Sequence, residues 1–351
     1  MATVKRIVIG GIDTHALTDH AAVIDGHGRL LADEQFAADT NGYRRLLAWL
    51  RRHGEVVKVG VEGTGSYGAG LATYLADHGV RVVEVDRPDR RARRRRGKSD
   101  PIDAEAAARA VLAGTATAVP RGRSGVVESI RALRIARAGA VKARTAAINS
   151  LKAILITAPA PLREMLAGDG TTALVAACTR LRPGDDLTDA TAGAKAALAA
   201  VAHCVTQLNQ EIAAADARLA TLAAAAAPAT LKLTGIGPDH AGQLLVTVGA
   251  NPDRLRGEAA FAHLCGVAPI PASSGKTKRH RLHRGGDRDA NRALHLAVVV
   301  RMRYCPRTRA YVNRRTAEGL SKPDIMRCPK RYLAQEVYHT IKADYEALHR
   351  A

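Results

Sequence analysis

Two β-branched runs near the start of the chain each end in a carboxylate. The run from Val4 to Ile12 predicts a buried strand that ends at Asp13, and the run from Val56 to Val61 predicts a second strand that ends at Glu62. A chain with this pattern must fold around a sheet that carries acids at its strand ends.

A third stretch adds two more acids. Asp100 and Asp103 open an Ala-rich helix, and their spacing lets both point from one face. Four such acids would repel one another unless cations shared them. Oxygen ligands suit Mg²⁺ or Mn²⁺, and a metal pair can bind both oxygens of an in-line phosphoryl transfer. The pattern predicts an α/β ribonuclease-H-like nuclease core with Asp13, Glu62, Asp100 and Asp103 as catalytic metal ligands. The alternative is a solvated acid at each strand end and a plain helix N-cap at Asp100.

The order of predicted elements favours the same fold class. A three-stranded antiparallel start is followed by β-α-β-α, whereas a Rossmann domain normally begins with its βαβ unit. The predicted strands are 4–13, 20–25, 29–36, 56–61 and 81–85, and the predicted helices are 41–53, 66–78 and 101–113.

A glycine-rich motif offers a rival of another class. Residues 63–68 are a literal GxGxxG between a strand and a helix, and Asp86 ends the next strand, as in NAD(P)-binding enzymes. Against that interpretation, Glu62 would stand beside the pyrophosphate. The glycines also have another use, because they allow backbone or a nucleic-acid phosphate to approach Glu62.

The charge balance points to a polyanionic partner. The 351 residues carry a net charge of +20 but only 3% aromatics, so contacts to a nucleic-acid backbone should dominate over base stacking. Five cysteines without a close pair suggest neither a zinc site nor a disulfide framework. We expect a cytoplasmic, nucleoid-associated bacterial protein without a membrane span or signal peptide.

Basic residues cluster directly before the third acidic stretch. Between Arg87 and Lys98 there are seven arginines and one lysine. Runs of this kind are often solvated loops, but here a loop that grips phosphate is favoured. Its predicted nucleic-acid contacts are Arg93, Arg94, Arg95, Arg96 and Lys98.

The middle of the chain is predicted to be helical. A basic helix spans about 126–155, a loop follows to about 190, and a heptad then repeats over seven intervals. The favoured interpretation is an arm that pairs with another copy as a dimer or tetramer, and the alternative is a helix packed inside the same chain. The heptad positions are Leu198, Val201, Val205, Leu208, Ile212, Ala215, Leu219 and Leu222.

Two loops in the last third have the composition of phosphate contacts. Gly235 and Gly237 lie in a turn that resembles a helix-hairpin-helix element, in which backbone N–H groups can hold DNA phosphate. Further on, Ser273 and Ser274 precede Gly275, and seven Lys or Arg stand against two Asp between Lys276 and Arg292. A P-loop is rejected there, because Ile270 occupies a required glycine position. The predicted basic contacts are Lys276, Lys278, Arg279 and Arg284.

As a set, these motifs resemble the DEDD transposases of insertion sequences, the family numbered one hundred and ten, known as bridge-RNA-guided serine recombinases. The resemblance covers GIDTH, VEGTGSYG, KSDPIDA, LTGIGP, FAHLCGVAPIPASSGK and HRGGDRDANRALH. It implies a Holliday-junction-resolvase-like domain and a mainly α transposase domain that carries an essential serine. The corresponding predicted domains are 1–122, a helical linker and coiled coil at 123–226, and 227–345.

By that resemblance, Asp13, Glu62, Asp100 and Asp103 match the Mg²⁺-binding tetrad, and Ser274 matches the nucleophile, with Ser273 as the alternative. The family's chemistry implies a 5′-phosphoserine intermediate, donor and target DNA, and a noncoding guide RNA. Because the acids and the serine fall in different predicted domains, the arrangement is compatible with a composite site from two subunits as well as with a site within one. One departure lies at Asn291, where many relatives have arginine. Any phosphate role there would pass to Arg284, Arg288 or Arg292.

Overall fold

The computed structural model describes the chain in four stretches: 6–85, 99–168, 170–276 and 280–350. Its internal contacts separate two compact units. They are Met1–Ser124 with Val248–Leu255, and Gly125–Thr247 with Arg256–Ala351. The three predicted domains, with boundaries at 122 and 226, stay a prediction.

The first unit is an α/β unit whose elements follow the predicted order. They are β1 Ile7–Thr14, β2 Thr18–Asp25, β3 Leu30–Ala37, α1 Thr40–His53, β4 Glu55–Glu62, α2 Ala69–Asp77, β5 Val82–Val85 and α3 Asp100–Leu112. The strands form one sheet in the order β3-β2-β1-β4-β5. β1, β2 and β3 are antiparallel, whereas β4 and β5 run parallel to β1. The predicted antiparallel start followed by β-α-β-α is confirmed.

Helices cover both faces of this sheet. On one face, Leu46 and Leu50 of α1 and Leu71 of α2 pack against alternate residues of the strands. On the other face, the alanines of α3 pack on Ile9 and Ile24. Period-two alternation explains the division, because successive side chains of β1 point to opposite faces.

Gly11 sets the distance between α3 and β1. A β-carbon on Gly11 would lie 2.1 Å from the carbonyl oxygen of Ala104 and 2.2 Å from the amide nitrogen of Ala108. Only a residue without a side chain allows this approach, and the small side chains of α3 match it. The N-terminus of α3 is therefore held against the end of β1.

The second unit is mainly helical. Its elements are α4 Gly125–Thr157, α5 Ala160–Met165, α6 Thr171–Cys178, α7 Ala190–Ala226, α8 Pro228–Leu231, α9 Pro238–Val248 (whose last residue falls in the first unit), α10 Glu258–Leu264, β6 Pro269–Pro271, β7 His280–Leu282, α11 Arg288–Tyr304, α12 Pro306–Ala317 and α13 Lys322–Leu348. The prediction of one loop from Pro159 to residue 190 was wrong, because α5 and α6 form there. Leu162, Val175 and Cys178 bury themselves against α4 and α7, so tertiary packing stabilises two short helices with weak local signals.

The heptad helix α7 packs against α4 of the same chain. Moving seven residues along α4, from Arg137 to Arg144, moves the hydrogen-bond partner seven residues back along α7, from Asp216 to Asn209. The two helices are thus antiparallel. Val205, which is 1% exposed, lies in the cluster that they share. The expectation that this seam pairs with another copy is corrected: it is closed within the chain, as the second interpretation held.

A buried carboxylate joins α8 to α13. Asp344 accepts hydrogen bonds from the backbone N–H groups of Ala229 (2.7 Å) and Thr230 (3.0 Å) and from the Thr230 hydroxyl (2.7 Å). The first N–H groups of the one-turn helix α8 have no hydrogen-bond partner from a local capping side chain. The Asp344 carboxylate takes the place of that cap. Across the described stretches, we find no helix with the length and apolarity needed to span a bilayer.

Candidate metal centre and serine loop

Asp13 and Glu62 occupy neighbouring positions on adjacent parallel strands. Ile12 pairs with Val61, so the next residue on each strand is an acid. Strand alternation places both on the face that α3 covers. Asp13 is 7% exposed and Glu62 is half-buried. The two strand ends therefore lie side by side, and the role of their acids as metal ligands stays a prediction.

The other two predicted acids sit in the first turn of α3. Asp103 is 2% exposed and Asp100 is half-exposed. Ser99 has the extended backbone of the N-cap, and its carbonyl accepts a hydrogen bond from the Asp103 N–H at 3.0 Å. Asp100 is therefore not the cap, and the plain N-cap alternative for it is wrong. Because Gly11 holds α3 close, these acids lie beside Asp13.

The electrostatics of Asp13 report this proximity. Burial raises the pKa of the Asp13 carboxyl above its ordinary value, and the Asp103 and Asp100 carboxylates raise it further. The neighbouring His15 ring acts in the opposite direction and lowers it. Carboxylates this close to Asp13 favour a cation between them, because a cation removes the repulsion.

His15 completes the group. Its Nε2 lies 3.3 Å from Asp13 Oδ2 and 3.4 Å from Asp100 Oδ1. One ligand atom from each of these residues falls within 4.8 Å of the others, which suits a shared ion. The sequence interpretation quoted His15 in its motif but gave it no role. The signal was its position two residues beyond Asp13, at the point where β1 turns into β2.

A fifth acid lies next to this cluster. Asp19, on β2 opposite Thr14, is 1% exposed. Neither carboxylate oxygen meets a hydrogen-bond partner within the described part of the chain. Burial raises the pKa of Asp19 to about 6, and the Asp13 carboxylate also raises it, whereas the nearby His15 amide and ring lower it. Nothing local in the sequence marked this residue, since its proximity depends on strand pairing.

The serines lie in an exposed loop of the second unit. β6 and β7 form an antiparallel pair in which Ile270 faces Arg281, and the chain between them carries Ser273 and Ser274. Both are exposed, and Gly275 follows with φ +54°, a conformation that favours glycine. The loop therefore presents its hydroxyls at the surface of this unit, with exposed Lys276 beside them.

Two family models match this chain. One, described as a DEDD transposase model of IS110, covers residues 10–158, and the other, described as "Transposase IS116/IS110/IS902 family", covers residues 229–313. The chain belongs to the IS110 family of transposases. A protein of Streptomyces coelicolor named "Insertion element IS110 uncharacterized 43.6 kDa protein" is 33% identical over 123 residues. That match covers 34% of this chain and 30% of the relative, so the chain aligns with less than a third of the relative's length.

The two matches of the IS110 family fall on the two candidate regions. The first spans the four acids and His15, and the second spans Gly235, Ser274 and Arg284. A family of DEDD transposases implies the use of a divalent metal ion, and the cluster of Asp13, His15 and Asp100 offers a place for one.

The GxGxxG motif of this IS110-family chain forms a turn around Glu62. Gly63 has φ +70°, and its carbonyl accepts hydrogen bonds from the N–H groups of Ser66 (2.8 Å) and Gly68 (3.1 Å). A β-carbon on Gly68 would lie 2.8 Å from the Glu62 carbonyl oxygen, which itself accepts from the Thr14 hydroxyl at 2.8 Å. The glycines thus allow close packing behind Glu62. The antiparallel β1–β2 pair also differs from a dinucleotide-binding sheet.

The turn at Gly235 has a packing role as well. Gly235 has φ +88°, and a β-carbon there would lie 2.6 Å from the carbonyl oxygen of Ala297 on α11. Gly237 has open space around it. The short α8, the turn and α9 give the predicted helix–turn–helix order. The phosphate contact at Gly235 and Gly237 stays a prediction.

Most of the predicted basic contacts lie at the edge of the described chain or outside it. Lys276 and Arg284 are exposed. Their role in nucleic-acid binding stays a prediction. The others are outside the described residues, namely Arg93, Arg94, Arg95, Arg96, Lys98, Lys278 and Arg279.

Asn291, where the sequence predicted the loss of a phosphate role, has a structural use. Its Nδ2 donates to the carbonyl oxygens of Cys265 (3.2 Å) and Gly266 (2.8 Å), and its Oδ1 accepts from Lys330 Nζ at 3.1 Å. Burial lowers the pKa of Lys330. Asn291 therefore holds the residues before the serine hairpin onto α11 and α13. Arg284, Arg288 and Arg292 are exposed, and their phosphate role stays a prediction.

Proposed function

We propose that this chain is the recombinase of an insertion sequence, which cuts and exchanges DNA strands through a phosphoserine intermediate. Asp13, Glu62, Asp100 and Asp103 hold the divalent ion, Mg²⁺ or Mn²⁺. When bound, such an ion orients a phosphate and stabilises the charge that develops on its oxygens. The proposal extends the ribonuclease-H-like, resolvase-like interpretation of the first unit to the chemistry of the whole chain.

The observation that carries this proposal is the convergence of acids on Asp13, whose pKa is raised by burial and by the neighbouring Asp103 and Asp100 carboxylates. A buried carboxylate whose pKa is raised by Asp103 and Asp100 is poorly suited to a merely solvated strand end. The donor set fits the ion, because carboxylate oxygens are the ligands that Mg²⁺ and Mn²⁺ prefer. His15 either adds a nitrogen ligand or orients the two aspartates by hydrogen bonding.

The serine supplies the nucleophile in this proposal. Ser274 Oγ attacks phosphorus and loses its proton, the 3′-oxygen leaves and takes a proton, and a 5′-phosphoserine forms. A 3′-OH of the partner strand then attacks the same phosphorus and releases the serine. One phosphodiester bond is broken and one is made, so no nucleotide cofactor is required. Exposed Lys276 and Arg284 would bind the phosphate that the serine attacks.

Donor and target DNA are the proposed substrates, and a noncoding RNA that pairs with both is the proposed guide. The net charge of +20 supports a nucleic-acid partner but does not distinguish DNA from RNA. A dimer or tetramer is also proposed, because strand exchange requires two cleaved duplexes to be held together.

The test is a search for a covalent protein–DNA adduct. Wild-type protein is incubated with element ends, flanking noncoding RNA and Mg²⁺, and the products are separated on denaturing gels. We expect an adduct with the wild type, none with Ser274→Ala, and an adduct with the matched control Ser273→Ala. Loss of the adduct only with Ser273→Ala would move the nucleophile by one residue. Absence of any adduct, with cleavage intact, would reject the phosphoserine step.

A hydrolytic nuclease of the Holliday-junction type is the second candidate. The observation that favours it is that all four acids and His15 belong to the first unit, which contains no part of the serine loop. In that case Ser274→Ala still cuts branched DNA and Asp13→Asn does not. The same two variants therefore separate the two functions.

A further inference from the structure

The helix α12 has an unusual surface for an element of a folded unit. None of its residues is fully buried. Its inner side, formed by half-buried Thr308, Tyr311, Val312 and Arg315, packs on α11 and α13. Tyr311 belongs to this packed side, and burial raises the pKa of its hydroxyl to about 12.

The outer side of α12 is a ridge of small residues. At about 100° per residue, Pro306, Ala310, Asn313 and Ala317 fall on one line opposite the packed side, and all four are exposed. No large apolar side chain stands on this line. A protein-binding helix would normally place aromatic or aliphatic anchors there, so a protein partner is disfavoured.

Arginines flank the ridge on both sides. Arg307 and Arg314, one heptad apart, lie roughly 90° to one side of the ridge, and Arg309 lies roughly 70° to the other. All three are exposed, and Arg307 and Arg309 have no ion-pair partner within the described stretches. α12 itself contains no acid. Glu318, just beyond its end, pairs with Arg315 and lies 3.9 Å from Arg314.

This arrangement matches the major groove of duplex DNA. That groove, about 12 Å wide in B-form DNA, admits an α-helix, and a ridge of small residues lets the helix enter deeply. Cations on both flanks then reach the phosphates of the two strands. The major groove of A-form RNA is too narrow for a helix, so the geometry selects DNA.

We propose that α12 binds in the major groove of duplex DNA, with Arg307, Arg309 and Arg314 on the phosphates and Asn313 facing the base edges. The side-chain amide of Asn313 can pair with N6 and N7 of adenine, so it is the one side chain of the ridge able to hydrogen-bond to a base edge. This inference rests on the proposed function only in taking DNA as substrate. It adds a site in which the protein itself contacts duplex DNA.

The test measures duplex binding without chemistry. Full-length protein carrying Ser274→Ala is titrated, with chelator present, into labelled DNA and RNA duplexes of equal length, and fluorescence anisotropy is recorded at several salt concentrations. Replacing Arg307, Arg309 and Arg314 together with Gln should lower DNA affinity at least 10-fold. It should also reduce the salt slope by about 2 to 3, since each lost phosphate contact removes about 0.9. The control is Arg163→Gln, an exposed arginine on α5 of the same unit.

A second variant tests the ridge itself. Ala310→Glu keeps helix propensity but places a carboxylate where the groove floor would be, so it should weaken DNA binding while the melting temperature stays the same. Asn313→Ala should lose roughly 10-fold on an adenine-containing selected site and less on a random duplex. Unchanged DNA affinity and salt slope in the triple-arginine variant would overturn the proposal, as would an equal loss on the RNA duplex. Neither result bears on adduct formation, which is measured separately with wild-type Ser274. If the Ser274→Ala protein without further changes bound no duplex DNA, that result would count against the proposed function itself.

Discussion

Gly11 and Ala104 are in backbone contact across the sheet-to-helix interface, so close that a β-carbon on Gly11 would lie 2.1 Å from the Ala104 carbonyl oxygen. This contact sets where the first turn of α3 lies relative to the end of β1. The acid cluster therefore depends on a residue that has no functional group.

Gly11→Ala should damage the metal site without altering any ligand. The added methyl group must push α3 outward, which moves Asp100 and Asp103 away from Asp13. We expect a loss of about 1–3 kcal/mol in stability and at least a 10-fold weaker affinity for Mn²⁺ by calorimetry. Gly26→Ala is the matched control, because a β-carbon there meets nothing within 4 Å. Wild-type Mn²⁺ affinity in Gly11→Ala would show that α3 does not position the ligands.

His15→Ala should affect two metal ions differently. An imidazole nitrogen contributes more to Mn²⁺ than to Mg²⁺, which strongly prefers oxygen ligands. If His15 is a ligand, Mn²⁺ affinity falls by about 10-fold while Mg²⁺ affinity changes little. Calorimetric titration of both ions measures the difference, with the exposed His27→Ala as control. An equal change for both ions would make His15 a hydrogen-bonding neighbour of the aspartates instead.

Asp19→Asn should change how stability depends on pH. The pKa of Asp19 is raised in the folded chain from an ordinary 3.8 to about 6, so the folded state holds its proton more tightly than the unfolded state does. Stability contributed by this group is complete below pH 4 and is lost as the pH rises to about 6. At pH 7 the penalty is on the order of 3 kcal/mol.

The variant removes that charge, so its melting temperature should fall less than that of the wild type between pH 4 and 6. Scans are made in chelator, because a metal ion at Asp13 would change the titration of Asp19. Asp77→Asn, at an exposed position on α2, serves as the control. Parallel melting curves for wild type and Asp19→Asn across this interval would contradict the assignment.

Val205→Glu should destabilise the second unit rather than simply reduce oligomer mass. Val205 is buried in the cluster that α4 and α7 share, so glutamate there places an unpaired charge in an apolar seam. We expect a loss of about 3 kcal/mol or more, measured by thermal unfolding together with light scattering. The control is Gln207→Glu, two residues along on the exposed side. A lower mass with an unchanged melting temperature would place this seam between copies of the chain.

The sequence was informative wherever a residue's role depended on its own neighbours. The β-branched runs located β1 and β4, and the acid that follows each run lies at the same edge of the sheet. The heptad located α7, but the identity of its partner required knowing that α4 folds back along it. Heptads specify a seam and not the chain that fills it.

The residues that were missed depend on contacts between distant parts of the chain. Asp19 becomes a neighbour of the cluster only because β2 pairs with β1 in one register. Asn291 looked like a weakened phosphate contact, whereas its amide closes hydrogen bonds to Cys265 and Gly266. Tertiary hydrogen bonds of this kind leave no periodic trace in the sequence.

The bond network of Asp344 bears on the order in which the chain can acquire structure during its synthesis. Its partners at Ala229 and Thr230 emerge from the ribosome more than a hundred residues earlier, and they have no local substitute for its carboxylate. This network cannot form until α13 has been synthesised, whereas β1 to β5 and α3 all precede it in the chain. During synthesis, the strands and helix that carry the four acids can therefore fold before the helical unit that carries the serine is complete.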